Sequence, residues 1–266
     1  MTSAGYASQR LVRVATEGVV RLVTLDRPAA LNALTIPMKL QLLRALRDAE
    51  HDREVRAVVV TGSGRAFCAG QDLHERLEPD APPLEIEIRE RYAPLVRQLV
   101  SMPKPVVAAV NGVAAGAGAS LAFACDLRVA AEDARLVLAF GRIGLVPDSG
   151  ATWLLPRLVG LGRATELAYL PDPVTAAEAL RLGLVNRVVP ADSVVSEAVA
   201  LAARIAEGAP IALGLTKRAL GRALESTLDE ALAYEAALQG IAGRTADHAE
   251  GIAAFVEKRP PRFRGE

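Results

Sequence analysis

The sequence is poor in the residues that build metal centres and covalent cross-links. Its two cysteines, Cys68 and Cys125, are far apart and outside any CxxC or Cys/His cluster. They offer no disulfide framework and no zinc site, and they fit a reducing cytoplasm. Three histidines, His51, His74 and His248, do not supply a multi-histidine metal centre. An excess of one charge sign is also missing, with 31 lysines and arginines against 31 aspartates and glutamates. General electrostatic recruitment of nucleic acid or a membrane surface is therefore excluded, although a local basic patch for a small polyanion is not. No apolar run is long enough to span a bilayer without charges or glycine turns interrupting it. Met1–Arg10 is short and polar, without the apolar stretch of a signal peptide. These absences predict a soluble, cytoplasmic protein without a metal.

What is present is an ordinary globular chain of 266 residues, 51% hydrophobic and 23% charged, long enough for one large core with an appendage. In its first half, short β-branched runs alternate with amphipathic stretches. Val19–Asp26, Arg56–Thr61, Pro105–Val110, Leu127–Ala131 and Leu136–Phe140 read as strands. Several are apolar almost throughout, as suits strands buried on both faces of a mainly parallel sheet. A helix is predicted from about Pro37 to Glu50, with Thr35 as its cap, Pro37 in its first turn and Leu40, Leu43 and Leu46 as its apolar stripe. Such alternation predicts an α/β architecture. Leu77–Leu84 holds three prolines and reads as an exposed loop or lid. After Pro190 the composition turns to alanine- and leucine-rich helices, roughly Asp192–Glu207, Pro210–Leu224, Thr227–Ile241 and Ala246–Glu257. The expected division is a core over 1–190 and a helical C-terminal region over 191–266.

Two glycine-rich segments follow strands and precede helices, Arg65–Leu73 (RAFCAGQDL) and Asn111–Ser120 (NGVAAGAGAS). Small residues at a helix start let a ligand approach free backbone N–H groups, where the helix dipole favours negative charge. Close helix–strand packing would use the same residues. Gly116-Ala117-Gly118 opens like a dinucleotide fingerprint, but Leu121 stands where the third glycine belongs. Gly118–Ala122 resembles a nucleophile elbow yet ends in alanine, and no histidine sits in a suggestive context for Ser120. Asp148, in Gly144–Gly150 (GLVPDSG), lies between apolar segments. There it could be a desolvated proton shuttle or simply the cap of a helix starting near Ser149.

Taken in this order, the segments resemble the enoyl-CoA hydratase/isomerase family, the crotonase superfamily. The resemblance runs from Val19 to Phe263 through Asp26–Leu34 (DRPAALNAL), Phe67–Leu73, Pro103–Val106, Asn111–Asp126 and Ala254–Arg259 (AFVEKR). It implies a crotonase-like spiral of ββα turns with a helical C-terminal trimerisation region, assembled as a homotrimer or a dimer of trimers. It implies an acyl-CoA thioester as substrate, with no permanently bound cofactor, since coenzyme A arrives as part of the substrate. No nucleic-acid or membrane partner is implied. The thioester oxygen would sit between the N–H groups of Gln71 and Ala117. Coenzyme A would run along Ala30 and the stretch that includes Ala69, Asp72, Leu73 and His74. Phe255 and Lys258, three residues apart and so expected on one helix face, resemble the pair that meets coenzyme A phosphate and adenine, usually from a neighbouring subunit.

Two such N–H groups stabilise the negative charge that develops on a thioester oxygen when the neighbouring carbon loses a proton, worth about 3–4 kcal/mol per donor in comparable sites. The base then decides the reaction. By the same resemblance, the two water-holding glutamates of the hydratases fall at Ser120 and Phe140, where neither side chain can replace a carboxylate. Asp148 matches the single acid of several isomerases in the family. Cys68–Leu73, Gly112–Ala119 and Gly144–Pro156 resemble the branch that rearranges a ring epoxide to an oxepin thioester in phenylacetate catabolism. The expected function is an acyl-CoA isomerase moving a double bond or rearranging such an epoxide. Enoyl-CoA hydration and non-catalytic acyl-CoA binding are the alternatives.

Overall fold

The computed structural model describes residues 9–266; of the polar stretch Met1–Arg10, residues 1–8 lie outside it. Strands β1 (Val12–Glu17) and β2 (Val20–Leu25) form an antiparallel hairpin turning at Gly18, and α1 (Ile36–His51) follows. A unit then recurs, in which one strand enters a large sheet and the next enters a small one. The pairs are β3 (Ala57–Gly62) with β4 (Ala66–Cys68), β5 (Val106–Val110) with β6 (Val113–Ala115), and β7 (Leu127–Ala131) with β8 (Arg135–Val137). The first unit is followed by α2 (Leu73–Arg76), then α3 (Leu84–Glu87), which continues through a π-helical turn at Ile88–Tyr92 into α4 (Ala93–Ser101). The second leads into α5 (Ala117–Ala124). The third passes through a 3-10 turn at Ala139–Ile143 to α6 (Ala151–Val159) and α7 (Leu161–Tyr169).

With β9 (Val174–Thr175), α8 (Ala176–Leu182) and β10 (Arg187–Val189), the large sheet runs β1-β2-β3-β5-β7-β10 and the small one β4-β6-β8-β9. Pairing is parallel from β2 to β10 in the large sheet and from β4 to β8 in the small one. The α/β spiral expected from the sequence is present. Every residue of β3 and β5 is buried, which is why these strands read as unbroken apolar runs rather than alternating ones. One cover is α9 (Val194–Ala206), whose Val194, Ala198, Leu201 and Ala202 pack toward β3, β5 and β7. Beyond it, α10 (Pro210–Ala223), α11 (Leu228–Ala242) and α12 (Ala246–Glu257) bury few side chains and leave Leu220, Leu224, Leu228, Leu232 and Phe255 exposed.

Two expectations need correction. The stretch Leu136–Phe140 is a strand only to Val137; the chain then tightens into the 3-10 turn, which carries Phe140 inward to a buried position. In α1, Thr35 does cap the helix, accepting the Met38 N–H at 3.4 Å. Its buried face is Met38, Lys39, Leu42, Leu43, Leu46 and Ala49, whereas Leu40 is 53% exposed. The apolar residues at 42, 43, 46 and 49 set the face by the 3.6-residue period, and Lys39 is carried inside with them.

All eight residues of α5 are buried, so its end carbonyls must be satisfied internally. Arg128, on β7 and 3% exposed, does this: its guanidinium donates to the carbonyls of Ala122, Phe123 and Cys125, and also to Leu184. A cation at the C-terminal end of a helix also complements its dipole. Arg128→Met should therefore cost about 3 kcal/mol or more in urea denaturation, because it strands several buried carbonyls. A loss below about 1 kcal/mol would show that those carbonyls find other partners.

Candidate active site

The site is built from backbone before side chains. Parallel pairing of β4 with β6 brings residues 66–70 alongside residues 113–118. Two glycines make the approach possible. A Cβ on Gly118 would lie 2.2 Å from the Cys68 carbonyl oxygen, and one on Gly70 would lie 2.7 Å from the Ala115 oxygen and 3.4 Å from the Ala117 nitrogen. Gly70 also has φ +92° and Gly116, at the N-cap of α5, has φ +51°, both natural to glycine alone. The chain leaving Gly70 pairs with Leu34: the Gly70 oxygen accepts the Leu34 N–H at 2.7 Å, and the Asp72 N–H donates to the Leu34 oxygen at 3.1 Å. Gln71 sits between these bonds. Its own N–H, and that of Ala117 in the first turn of α5, take no acceptor among the described residues. The loop before α1 is locked by Asn32, fully buried with φ +57°, whose side chain donates to the Ser63 and Ala66 carbonyls and accepts from the Arg27 N–H.

A cavity of about 470 Å³ opens at this junction. Ala69, Gln71, Leu73, Ala117 and Asp148 all line it. Its apolar wall is Leu84, Ile88, Tyr92, Phe140, Ile143 and Leu145. Asp148 is held from three sides. Its backbone oxygen accepts from the Ala151 N–H and, at 3.0 Å, from the Ser120 hydroxyl, and its carboxylate accepts from the Ser149 hydroxyl at 2.8 Å. The side chain caps nothing: α6 has Gly150 at its N-cap and no side-chain capping bond. Ser149 is buried with φ +53°, a left-handed conformation costing a non-glycine residue about 1–2 kcal/mol, and such strain collects at functional sites. Burial pushes the Asp148 carboxyl above its ordinary value, against the Ser149 hydrogen bond and the positive charge of Lys39. Ser120 itself is fully buried, a small helix residue that ties the Asp148 loop to α5.

Of the other residues singled out from sequence, Ala30, Asp72, His74, Phe255 and Lys258 fall outside the cavity wall. Asp72 is the N-cap of α2, accepting the His74 and Glu75 N–H groups and ion-paired to Arg27. Burial opposes its charge, but these partners prevail and hold its carboxyl below the ordinary value. Leu73 is half exposed at the mouth, and His74 is exposed beside it. Ala30 ends a 3-10 turn at Pro28–Ala30. Phe255 is 86% exposed on α12, but Lys258 is not on that helix face: the helix ends at Glu257 and Lys258 turns left-handed, φ +55°.

Sequence reasoning missed Lys39, Glu87 and Tyr92. The Lys39 side chain is fully buried and ion-paired with Glu87, and it donates to the Gln71 side-chain oxygen at 2.8 Å. The Tyr92 hydroxyl donates to the same oxygen at 2.7 Å. Glu87 is also 3.2 Å from Arg91. A lysine inside the apolar stripe of α1 was the available signal, hidden because the stripe was drawn through Leu40.

The profile of the enoyl-CoA hydratase/isomerase family matches residues 15–266. The chain belongs to that family. It is 45% identical over 253 residues to the 1,2-epoxyphenylacetyl-CoA isomerase of Escherichia coli (strain K12), covering 94% of this chain and 96% of that one. It is 47% identical over 250 residues to a Rhodobacter capsulatus protein named "Probable enoyl-CoA hydratase", again covering 94% and 96%. The crystal structure of an enoyl-CoA hydratase from Bacillus anthracis superposes with a TM-score of 0.90 at 36% identity, covering 97% of this chain and all of that one. The ββα spiral is thus a crotonase fold. Among the described residues no single helix is long and apolar enough to cross a membrane, and no cluster of three metal-ligating side chains occurs.

Because the folded state resists ionising Asp148, its charge opposes folding once the pH exceeds the ordinary carboxylate range. Below that range the group is protonated in both states and contributes nothing. Asp148→Asn should therefore be more stable than the parent at pH 7.5 and indistinguishable from it near pH 3, in urea titrations at both values. Equal stabilities at pH 7.5 would mean the carboxylate is already compensated.

Proposed function

We propose that the protein is an acyl-CoA isomerase whose Gln71 and Ala117 N–H groups hold the thioester oxygen while Asp148 moves the proton. The observation that carries this reading is that Asp148 is the cavity carboxylate without an ion-pair partner, beside two N–H groups without acceptors. Glu87 also lines the cavity, but Lys39 and Arg91 neutralise it. Hydration requires carboxylates free to hold and activate a water. Ser120 is fully buried and Phe140 is part of the apolar wall, and these are the positions where the resemblance puts the hydratases' glutamates.

With one shuttling acid, the chemistry is proton removal and return. The ionised Asp148 takes a proton from the carbon next to the thioester, and charge accumulates on the thioester oxygen between the two donors. Return of the proton at a different carbon shifts the double bond. In a ring epoxide, the bond between the two epoxide carbons would break instead, both C–O bonds staying in the seven-membered ring, and the proton taken from the α-carbon would return to a ring carbon. The compact apolar wall suits a ring or a short chain, and the relative named 1,2-epoxyphenylacetyl-CoA isomerase supports the ring. Coenzyme A would pass Ala69, Leu73 and the rim residues Ala30, Asp72 and His74. Phe255 and Lys258 would reach it from a neighbouring subunit of a homotrimer or dimer of trimers, and the exposed apolar residues of α10 to α12 support such an assembly.

On this reading, purified protein converts a trans-3-enoyl-CoA to the conjugated thioester and acts on 1,2-epoxyphenylacetyl-CoA, while hydrating crotonyl-CoA slowly. Asp148→Asn should lower turnover about 10³-fold, the middle of the usual gain of about 10²–10⁴ from one acid–base group. Coenzyme A affinity by calorimetry should be unchanged. An active Asn variant, or fast crotonyl-CoA hydration, would remove the isomerase assignment.

A further inference from the structure

The buried charges beside the cavity have no part in the chemistry above. Lys39 comes from α1 and Glu87 from α3, both within 2% of complete burial, and such groups are rarely kept inside without a task. Their hydrogen bonds point to one. The Gln71 side-chain oxygen is held by two donors at once, the Lys39 ammonium and the Tyr92 hydroxyl, and the Gln71 amide nitrogen donates to the Asp72 carbonyl at 3.2 Å. Lys39 also stands 4.7 Å from the centre of the Tyr92 ring. The side chain of the residue that carries one of the two free N–H groups is thus pinned at both ends. Tyr92 reaches it because the helix runs through a π-helical turn there: the Ala93 N–H bonds back to Ile88 rather than to residue 89.

We propose that Lys39 is a positioning residue, fixing Gln71 so that its backbone N–H stays aimed at the thioester oxygen and setting a positive charge behind the cavity wall that Gln71, Glu87 and Asp148 share. This rests on the isomerase reading for its kinetic part only. The charged and titratable groups that line the cavity with Asp148 are Arg76 on α2, Glu87 and Tyr92 on the segment from α3 to α4, and Arg142 on the 3-10 turn. Lys39 on α1 and Arg91 pair with Glu87, Glu75 on α2 bonds Gln71, buried Cys68 lies on β4, and the Ser149 hydroxyl bonds the Asp148 carboxylate. The positive charge of Lys39 favours the Asp148 carboxylate, against the burial that disfavours it. Glu87 keeps Lys39 protonated: burial pulls the ammonium below its ordinary value, and the ion pair opposes that pull.

The sign follows directly. Without the Lys39 charge the Asp148 carboxyl titrates at higher pH, so the acid limb of any reaction that uses it as a base moves upward. Removing Lys39 alone would strip buried Glu87 of one of its two cations and leave it with Arg91, so the informative variant is K39Q/E87Q, which removes both charges and retains polar groups able to bond Gln71. Its folding is checked by circular dichroism. Two readouts are used. The Asp148 carboxyl is titrated by ¹³C NMR in ligand-free protein, with D148N to assign it. Exchange of the α-protons of phenylacetyl-CoA in D₂O then reports enolate formation whichever product the enzyme makes. The double variant should titrate Asp148 at higher pH than the parent. It should also exchange α-protons about tenfold or more slowly in kcat near pH 6, as misalignment of a catalytic group costs, with KM little changed. Tyr92→Phe, which loses one donor to Gln71 but no charge, should slow exchange without moving the titration. An Asp148 titration unmoved in K39Q/E87Q, or moved as far by Tyr92→Phe, overturns the proposal. Parent protein that exchanges no α-protons would defeat the isomerase reading instead, and the NMR titration would still decide the role of the Lys39 charge.

Discussion

The contact on which the site depends is between two stretches of backbone, residues 68–70 and the start of α5. Neither Gly70 nor Gly118 has room for a β-carbon, because carbonyl oxygens of the facing strand stand 2.7 and 2.2 Å from where it would be. At that separation the free N–H groups of Gln71 and Ala117 open on one cavity without any side chain between them. Parallel pairing of β4 with β6 fixes the approach, and the burial of α5 with its far end capped by Arg128 fixes the direction of the helix. Stabilisation of an oxyanion by such donors works because they are already in place and need no reorganisation as charge develops. On the proposed reading the rigid core is therefore part of the chemistry.

Around that backbone the charges are arranged with opposite logic. Glu87 is neutralised by Lys39 and Arg91, while Asp148 keeps only a hydroxyl hydrogen bond and a more distant cation. A fully buried and unpaired carboxylate is several kcal/mol unfavourable, so most such groups are paired or become neutral. Asp148 sits between these limits: burial raises its proton affinity, and the Ser149 hydroxyl and Lys39 restrain the rise. A base needs that balance, since a fully compensated carboxylate would be too weak to take a proton and a fully desolvated one would hold its own.

What could be read from the sequence followed from which groups do the work. Backbone donors demand small residues at fixed places, so Gly70, Gly116 and Gly118 announced the site, and unbroken apolar runs such as Ala57–Gly62 announced strands covered on both faces. The four C-terminal helices were legible because composition changes after Pro190, and a proline or threonine marks the start of three of them. Side-chain networks announce themselves less. Lys39 was hidden by a stripe drawn through Leu40, one residue off the true buried face. Tyr92 and Glu87 meet Gln71 and Lys39 only across a π-helical turn, which no periodic pattern encodes. The end of β8 was overrun because Leu136–Phe140 is apolar throughout, and nothing in apolar character separates a strand from the 3-10 turn that puts Phe140 against the cavity.

One residue connects the Ala117 end of α5 with Asp148. The Ser120 hydroxyl, on the same helix as Ala117, bonds to the backbone oxygen of Asp148 across 28 positions of sequence. Donor and acid are thereby referred to a single rigid element, and their spacing does not depend on the exposed Leu77–Leu84 loop. The other wall of the cavity behaves differently. Leu84 and Ile88 follow that loop, and Ile143 and Leu145 flank the 3-10 turn. On the proposed reading, substitutions there reshape the space for the acyl group while Gln71, Ala117 and Asp148 stay in register. The part that would select the substrate and the part that would stabilise its enolate are held by different segments of chain, which lets one fold serve different acyl groups.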